Sequence, residues 1–387
     1  MRKIRTLHLA SFDGNVGDNA NHAAFYANLN NHAGLDFDID QIEIREFYWN
    51  QRKFDITFVD LANSYDLLII GGGNYFELWV KDSPTGTSIA IKPELFKQIK
   101  TPVLFNALGV DPGQGASEQA CQKLRIFLNE LVTDSKNLIS IRNDGSKEAI
   151  EKYIGIEFMS DIIWTPDAGV TLQPNYDLVL IDSSKNYLAI NIAGDMLETR
   201  FCIKNSEISA GQFVEQFAKV VVNLVSLRFF EEIVFIPHIY KDLTIINDIL
   251  EQIPDNIIRR RIVIAPLLHG TGSEQKIFTI YKNATLNIGM RFHAIICSVG
   301  MRIPTVALIN YRQIEKLVGE MDIEDYAVDV RRNDFGRHIV RLIGEILTDQ
   351  DSKKSHFTKV SQQAYSDYKE YHSKLSIWFD QQFGRDR

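Results

Sequence analysis

An arginine and a histidine, Arg291 and His293, stand two residues apart directly after an apolar run that is typical of a buried strand. A second apolar run, typical of a helix, follows them. In open α/β sheets, ligands bind where a strand gives way to the next helix. A guanidinium pairs with phosphate or carboxylate groups, and an imidazole can transfer a proton near neutral pH. The pair therefore predicts chemistry on a small anion.

Two glycine-containing loops at predicted strand ends are further candidates for anion contacts. Asn15, Gly17 and Asp18 open the first helix, where free backbone N–H groups can hold an anion; the alternative is that Asp18 only caps the helix. A glycine run follows another strand and would let a ligand approach the backbone closely. Its members are Gly71, Gly72 and Gly73. This run matches neither the dinucleotide nor the P-loop fingerprint.

Two charged or titratable residues follow strands elsewhere in the chain. Arg142 lies just past a strand in the first half and is a candidate for binding the anion, with a surface ion pair to Asp144 as the alternative. His238 follows a strand in the second half, four residues before Asp242. For His238, a buried structural histidine is as good an interpretation as a functional one.

The elements that must position these residues alternate between β-rich runs and helical patterns, which is typical of parallel sheets covered by helices. A stretch at 165–184, rich in turn residues, separates two such series and predicts a linker. The sequence thus predicts an α/β protein with two Rossmann-like domains, at 1–172 and 173–345, and a helical extension at 346–387. The patterns predict strands at 4–9, 67–70, 103–107, 138–141, 188–192, 233–236, 262–264, 284–288 and 304–308, and helices at 19–29, 90–99, 118–132, 145–153, 211–227, 242–252 and 274–282, after His293 and from 336 onward.

Composition narrows the class of protein. The 387 residues are enough for two domains, and the formal net charge of -8 without a basic block argues against nucleic acid as a partner. The sequence shows no apolar stretch long enough for a membrane helix, and its three scattered cysteines fit a reducing compartment, so we expect a cytoplasmic protein. The acidic residues at 36–40 alternate with Phe37 and Ile39 as a half-exposed strand would, which disfavours a metal site there.

The order and spacing of the motifs resemble the polysaccharide pyruvyl transferase family. The resemblance rests on NVGD at 15–18, DLLIIGGG at 66–73, NALGVDP at 106–112, ISIRNDGS at 139–146, TPDA at 165–168, RFHA at 291–294 followed by GMRIP at 300–304, and Tyr311. The motifs extend over most of the chain. The family's fold is similar to that of GT-B glycosyltransferases, in agreement with two Rossmann-like domains facing a cleft.

The resemblance implies transfer of a pyruvyl group from phosphoenolpyruvate to two hydroxyls of a sugar, with a ketal formed and phosphate released. It implies that Arg142 and Arg291 bind the donor and that His293 moves a proton. It also implies no metal or organic cofactor. The acceptor is a saccharide, with a lipid-linked precursor at the inner membrane face and a homo-oligomer both left open. The candidates for contacting the acceptor are His238, Tyr311, Arg312 and Lys316.

One position departs from the family pattern, because Ile314 stands where relatives carry a lysine shortly after the tyrosine. Arg312 or Lys316 could supply the missing charge. This departure keeps open a catalytically silent homologue that binds glycan intermediates. A GT-B glycosyltransferase that uses a nucleotide sugar would share the fold and is a second alternative. An NAD enzyme would require a glycine fingerprint that this sequence lacks.

Overall fold

The protein is described by a computed structural model covering residues 2–384 except 33, 176–180, 183, 203 and 205. The chain divides into two compact units. Unit 1 consists of Met1–Asp13, Ala24–Ala168 and Ser366–Arg387, and unit 2 consists of Gly14–Ala23 and Gly169–Tyr365. The predicted linker lies partly outside the described residues. Its first residues form the end of a strand at Thr165 and a 3-10 turn, Ala168–Thr171.

Unit 1 is built on a sheet of six parallel strands in the order β2-β1-β3-β5-β7-β8, beside a small sheet that pairs β4 with β6. Its strands are β1 (Arg2–Ala10), β2 (Leu35–Glu43), β3 (Leu67–Gly71), β4 (Phe76–Glu77), β5 (Val103–Leu108), β6 (Val110–Asp111), β7 (Asn137–Arg142) and β8 (Ile162–Thr165). Strands β3 and β5 are buried along their whole length, as expected for apolar central strands of a sheet covered on both faces. Strand β2 lies at the edge and exposes its three aspartates, which confirms the half-exposed strand predicted there.

Unit 2 contains a second six-stranded parallel sheet in the order β11-β10-β9-β12-β13-β14. Its strands are β9 (Tyr187–Asn191), β10 (Glu232–Phe235), β11 (Ile262–Ile264), β12 (Leu286–Gly289), β13 (Thr305–Ile309) and β14 (Ala327–Asp329). In chain order this sheet runs 3-2-1-4-5-6, the order of dinucleotide-binding folds. The direction of strand addition therefore reverses between β9 and β12. Crevices at the carboxyl ends of the strands beside such a reversal are where ligands bind in open α/β sheets.

Helices cover the sheets, and several begin at residues whose side chains cap them. Asp55 accepts from two backbone N–H groups of the first turn of its helix, and Ser209 forms a capping box with Gln212. The helices are α1 (Val16–Leu29), α2 (Arg45–Tyr48), α3 (Ile56–Asn63), α4 (Pro93–Phe96), α5 (Glu118–Val132), α6 (Ser146–Ala149), α7 (Leu197–Arg200), α8 (Ala210–Ser226), α9 (Tyr240–Leu250), α10 (Asp255–Arg261), α11 (Ser273–Asn283), α12 (Phe292–Gly300), α13 (Arg312–Glu320), α14 (Phe335–Thr348) and α15 (Gln350–Phe383).

These elements confirm the predicted fold class and most predicted elements. The helix predicted at 90–99 is reduced to the single turn α4, because Pro93 occupies its first position and the preceding residues are not helical. The helices expected from 336 onward are α14 and α15. Within the part of the chain that the structure describes, every helix is too short or too polar to cross a bilayer.

A stacked histidine pair packs inside unit 1, on helix α15 and on the turn after α1. His32 Nε2 lies 3.0 Å from His372 Nδ1, and the ring centroids are 5.2 Å apart. Burial, with the nearby His32, lowers the pKa of His372 to about 3. Burial also lowers the pKa of His32, although Asp380 opposes that shift. Both rings are therefore neutral in the folded protein at neutral pH.

This pair should make the protein less stable as the pH falls. Between about pH 6.5 and pH 3 the unfolded chain binds protons that the folded pair does not, so stability decreases toward acid. For His372 alone we expect a loss of about 2 kcal/mol between pH 6.5 and pH 5, at about 1.4 kcal/mol per pH unit. Urea unfolding of wild type and His372→Gln at both pH values measures it. His338→Gln, at an exposed position, is the control; equal pH slopes in wild type and His372→Gln would refute the prediction.

Candidate active site

The strand-end residues predicted to carry chemistry in unit 2 lie at the switch point between β9 and β12. These strands are neighbours, and Gly289 pairs with Asn191 at their carboxyl ends. The Asn191 side chain accepts a hydrogen bond of 3.0 Å from the backbone N–H of Arg291. This bond holds the start of α12 against the end of β9. Arg291 and His293 therefore lie at the carboxyl ends of the strands, where ligands bind in such sheets.

The Arg291 guanidinium is held by two carboxylates. Its Nε donates to Asp242 Oδ2 at 2.8 Å, and its Nη2 donates to Asp242 Oδ1 and, at 2.7 Å, to Asp195 Oδ1. Asp242 is fully buried. Burial by itself would lower the pKa of Arg291, but the hydrogen bonds and charges of Asp242 and Asp195 outweigh it and raise that pKa. Arg291 is thus a permanent cation whose charge is already matched within unit 2.

His293 packs against the first turn of α1. A Cβ atom at Gly17 would lie 2.8 Å from His293 Nδ1, so only glycine leaves room for the imidazole at this place. Asp18 Oδ1 lies 3.7 Å from the same nitrogen, within range of an ion pair with a protonated ring. The helix is capped by Asn15, whose Oδ1 accepts from Gly17 N at 3.0 Å. Asp18 already lies inside the first turn, so the alternative in which it is the cap is wrong, and it faces the histidine instead.

His238 is buried in this arrangement. Its side chain is fully buried, its Nε2 lies 2.9 Å from the hydroxyl of Tyr281, and its backbone N–H donates to Asp242 Oδ2. Burial, with the charges of Arg291 and His293, lowers its pKa well below the usual range. Its backbone oxygen also accepts from Val16 N. Of the two interpretations left open, the structure supports the buried histidine, but only Nε2 of its ring is hydrogen-bonded, and Nδ1 has no partner among the described residues.

Tyr311 precedes α13, which places Arg312 and Lys316, both half-buried, in its first two turns. Ile314 points into the core and is 2% exposed, so an apolar residue suits that position in this chain. The guanidinium carbon of Arg200 lies over the Tyr311 ring, 5.6 Å from the ring centroid. Sequence reasoning missed Arg200. It is in a short helix, α7, and no pattern connects it to Tyr311.

In unit 1, Arg142 repeats the pattern of a guanidinium between two carboxylates. Its Nε donates to Asp144 Oδ2 at 2.7 Å, and its Nη1 lies 3.5 Å from Asp167 Oδ2. All three side chains are buried, so the ion pair with Asp144 exists but is not at the surface. The role of Arg142 in donor binding stays a prediction.

The glycine run after β3 admits close approach by the protein's own chain. Gly71 and Gly72 have positive φ, and a side chain at Gly71 would collide with the backbone of Asn106. A side chain at Gly73 would collide with the ring of Tyr75. Packing therefore explains Gly71 and Gly73, and the positive φ of Gly72 favours glycine there; the contact of all three with a donor stays a prediction.

Unit 1 also contains a carboxyl pair that sequence reasoning missed. Glu77 and Asp111 are paired in register between β4 and β6. Asp111 accepts from Asn74 Nδ2 at 3.0 Å and from Gly113 N at 2.6 Å. Burial, with the charge of Asp111, raises the pKa of Glu77 to about 8. The sequence indicated Asp111 through its place in the 106–112 motif, but no local pattern linked this residue to Glu77.

Replacing Glu77 by glutamine should stabilise the protein at alkaline pH. A raised folded pKa means that the contribution of Glu77 is complete below its unfolded pKa, near 4.5, and is lost as the pH rises through about 8. Between pH 6 and pH 8.5, the free energy of unfolding of Glu77→Gln relative to that of wild type should increase by about 2 kcal/mol. Urea unfolding at both pH values measures the gain. Glu215→Gln on an exposed helix face is the control. If the stability difference between Glu77→Gln and wild type is the same at both pH values, the raised pKa of Glu77 is wrong.

The family model for polysaccharide pyruvyl transferase matches residues 15–311 of the chain. The matched span includes every candidate residue described above except those in helix α13, such as Arg312 and Lys316. A search of curated proteins finds no match.

Solved structures with a similar fold include two that align over almost the whole of this chain. The UDP complex of MnaA from S. aureus has a TM-score of 0.54 at 10% identity, over 96% of this chain and 97% of that one. A glycosyltransferase from Rickettsia africae ESF-5 also has a TM-score of 0.54, at 12% identity, over 98% of this chain and 99% of that one. These likenesses confirm the α/β fold of the GT-B type and, at such low identity, show the fold alone.

Proposed function

Because the chain belongs to the polysaccharide pyruvyl transferase family, we propose that this transferase moves the pyruvyl group of phosphoenolpyruvate onto two hydroxyls of one sugar residue. The observation that carries the proposal is the position of His293, which lies between the first turn of α1 and the switch point of a parallel sheet. Asp18 lies 3.7 Å from its Nδ1 and can stabilise the protonated ring.

The bond changes define what the site must do. The methylene carbon of the donor takes a proton and becomes a methyl group, while the carbon that carries the phosphate forms two bonds to sugar oxygens. The bond from that carbon to the phosphate oxygen breaks, and phosphate leaves. Of the two hydroxyl protons, one balances the proton added to the methylene carbon and the other leaves with phosphate. These steps require proton transfer and charge stabilisation, and no redox group or metal.

His293 is our candidate for the proton transfer. A ring nitrogen near Asp18 can hold its proton while the other nitrogen exchanges a proton with substrate, as in other acid/base histidines. The start of α12 is held beside Asn191 by the backbone N–H of Arg291, and in this proposal the Arg291 side chain keeps its predicted contact with the donor. In this proposal Arg142, Asn15, Gly17, Asp18 and the 71–73 glycines keep their predicted part in donor binding.

The acceptor is a saccharide in this proposal, with Tyr311, Arg312 and Lys316 as the residues that contact it. His238 is fully buried and supports the fold instead. We place the reaction in the cytoplasm, at the inner face of the membrane if the acceptor is lipid-linked. The acceptor sugar determines the ketal position.

The proposal is tested by ligand binding followed by turnover. Phosphoenolpyruvate should raise the melting temperature of the purified protein, because a ligand that binds only the folded state stabilises it. UDP, GDP and NAD should not. Phosphate release from phosphoenolpyruvate should then depend on a galactoside or mannoside acceptor. Stabilisation by UDP or GDP and not by phosphoenolpyruvate would favour a nucleotide-sugar glycosyltransferase, and binding without turnover would favour a silent homologue.

A further inference from the structure

Arg200 is a largely buried arginine in unit 2 whose charge is only partly matched. Its side chain is 10% exposed. The carboxylate paired with it, Asp195, lies 3.5 Å from Nη2, whereas the same oxygen of Asp195 lies 2.7 Å from Nη2 of Arg291. Asp195 therefore forms its ion pair mainly with Arg291. Burial lowers the pKa of Arg200; the charge of Asp195 opposes this shift, and the charge of Arg291 adds to it.

Hydrogen-bond donors of Arg200 are also in excess. The guanidinium has five N–H groups. It donates from Nε to the backbone oxygen of Asp195 at 2.9 Å, from Nη1 to Asn310 Oδ1 at 3.0 Å, and from Nη2 to Asp195. Two of the five N–H groups thus lack an acceptor among the residues that the structure describes.

Asn310, directly after β13, adds a second set of unmatched donors. Its side chain is 1% exposed, and Nδ2 donates to no acceptor in the described part of the chain. The amide orientation is fixed by Arg200, because exchanging its oxygen and nitrogen would turn a donor toward the guanidinium. Oδ1 and Nδ2 share one carbon, so the unmatched amide donors lie beside the guanidinium. Buried donors without partners are rare, and a site for an acceptor explains them.

A cation and four N–H donors side by side suit an oxyanion, since a carboxylate or phosphate group offers only acceptors and a negative charge. We propose that Arg200 and Asn310 bind an oxyanion group, the carboxylate or the phosphate of the donor substrate; naming the donor rests on the proposed function. Arg291 is already matched by two carboxylates. Arg200 is therefore the cation of the two that gains more from a bound anion.

Calorimetry with phosphoenolpyruvate, pyruvate and inorganic phosphate tests this site. Arg200→Gln should weaken phosphoenolpyruvate binding by at least about thirtyfold, the loss expected for a charge-assisted contact. Pyruvate tests the carboxylate and inorganic phosphate tests the phosphate, and the ligand whose binding depends on Arg200 identifies the group. Arg259→Gln, at an exposed ion pair, is the matched control and should bind like wild type.

Asn310→Asp separates a binding role from a structural one. A carboxylate at this position would match Arg200, so the melting temperature should rise while binding of the oxyanion is lost. If Arg200 and Asn310 are only structural, Asn310→Asp should bind the oxyanion with wild-type affinity. That result would overturn the site even if phosphoenolpyruvate is the donor. Binding of phosphate that depends on Arg200, without any binding of phosphoenolpyruvate, would support the site and remove the proposed donor. A wild-type protein that binds none of the three would overturn the site.

Discussion

Replacing His293 by glutamine is expected to lower turnover by about a hundredfold or more while leaving donor affinity nearly unchanged. Glutamine keeps a polar group of similar reach against Gly17 and Asp18 but cannot carry a proton between reacting atoms. The measurement is phosphate release from phosphoenolpyruvate with a saccharide acceptor, together with a calorimetric binding constant for the donor.

His338→Gln is the matched control for this variant, since His338 also lies beside a carboxylate, Asp334, but on an exposed helix face. It should keep wild-type turnover. Near-normal turnover in a stable His293→Gln protein would remove the histidine from the mechanism. A lowered melting temperature with turnover intact would assign it a packing role against α1.

Replacing Arg291 by alanine is expected to destabilise the folded protein by about 3–5 kcal/mol. The change leaves the fully buried Asp242 without its two hydrogen bonds from the guanidinium, and breaking a buried ion pair on one side costs this much. Urea unfolding at neutral pH measures the loss. A weaker donor affinity in this variant would therefore reflect disorder at the site as well as a lost contact.

The double variant Arg291→Met with Asp242→Asn should recover much of that stability, because no unpaired charge remains in the core. Arg341→Ala, which breaks an exposed pair with Glu345, should cost less than about 1 kcal/mol. If Arg291→Ala unfolds at the same urea concentration as Arg341→Ala, the buried pair with Asp242 does not stabilise the fold.

Periodicity in the sequence predicts the elements of this fold well. Strand β11 and helix α5 have the bounds predicted from their apolar patterns, because a short branched run and a long amphipathic run are each unambiguous. The sequence does not predict strands β8 and β14. Each has only three or four residues, and neither consists of branched apolar residues alone as β11 does.

The partners of the site residues could not be predicted in the same way. The sequence places Arg291 at the end of a strand, but Asp242 lies 49 residues away and Asn191 lies 100 residues away. Strand order brings them together, and strand order depends on long-range pairing that no local pattern encodes. The charge state of Glu77 has the same origin, since its neighbour Asp111 comes from another strand.

The segments that compose unit 1 constrain the order in which the chain can fold during synthesis. Residues 24–168 leave the ribosome early, yet the same unit includes 366–384. Phe379 packs 5.2 Å from Phe37, and the Trp378 indole donates to the backbone oxygen of Ser135. These contacts can form only after the whole of 169–365 has been translated, so the continuous stretch of unit 2 has time to fold first. A ribosome stalled near residue 365 would therefore present unit 1 with part of its apolar surface uncovered, as a target for chaperones.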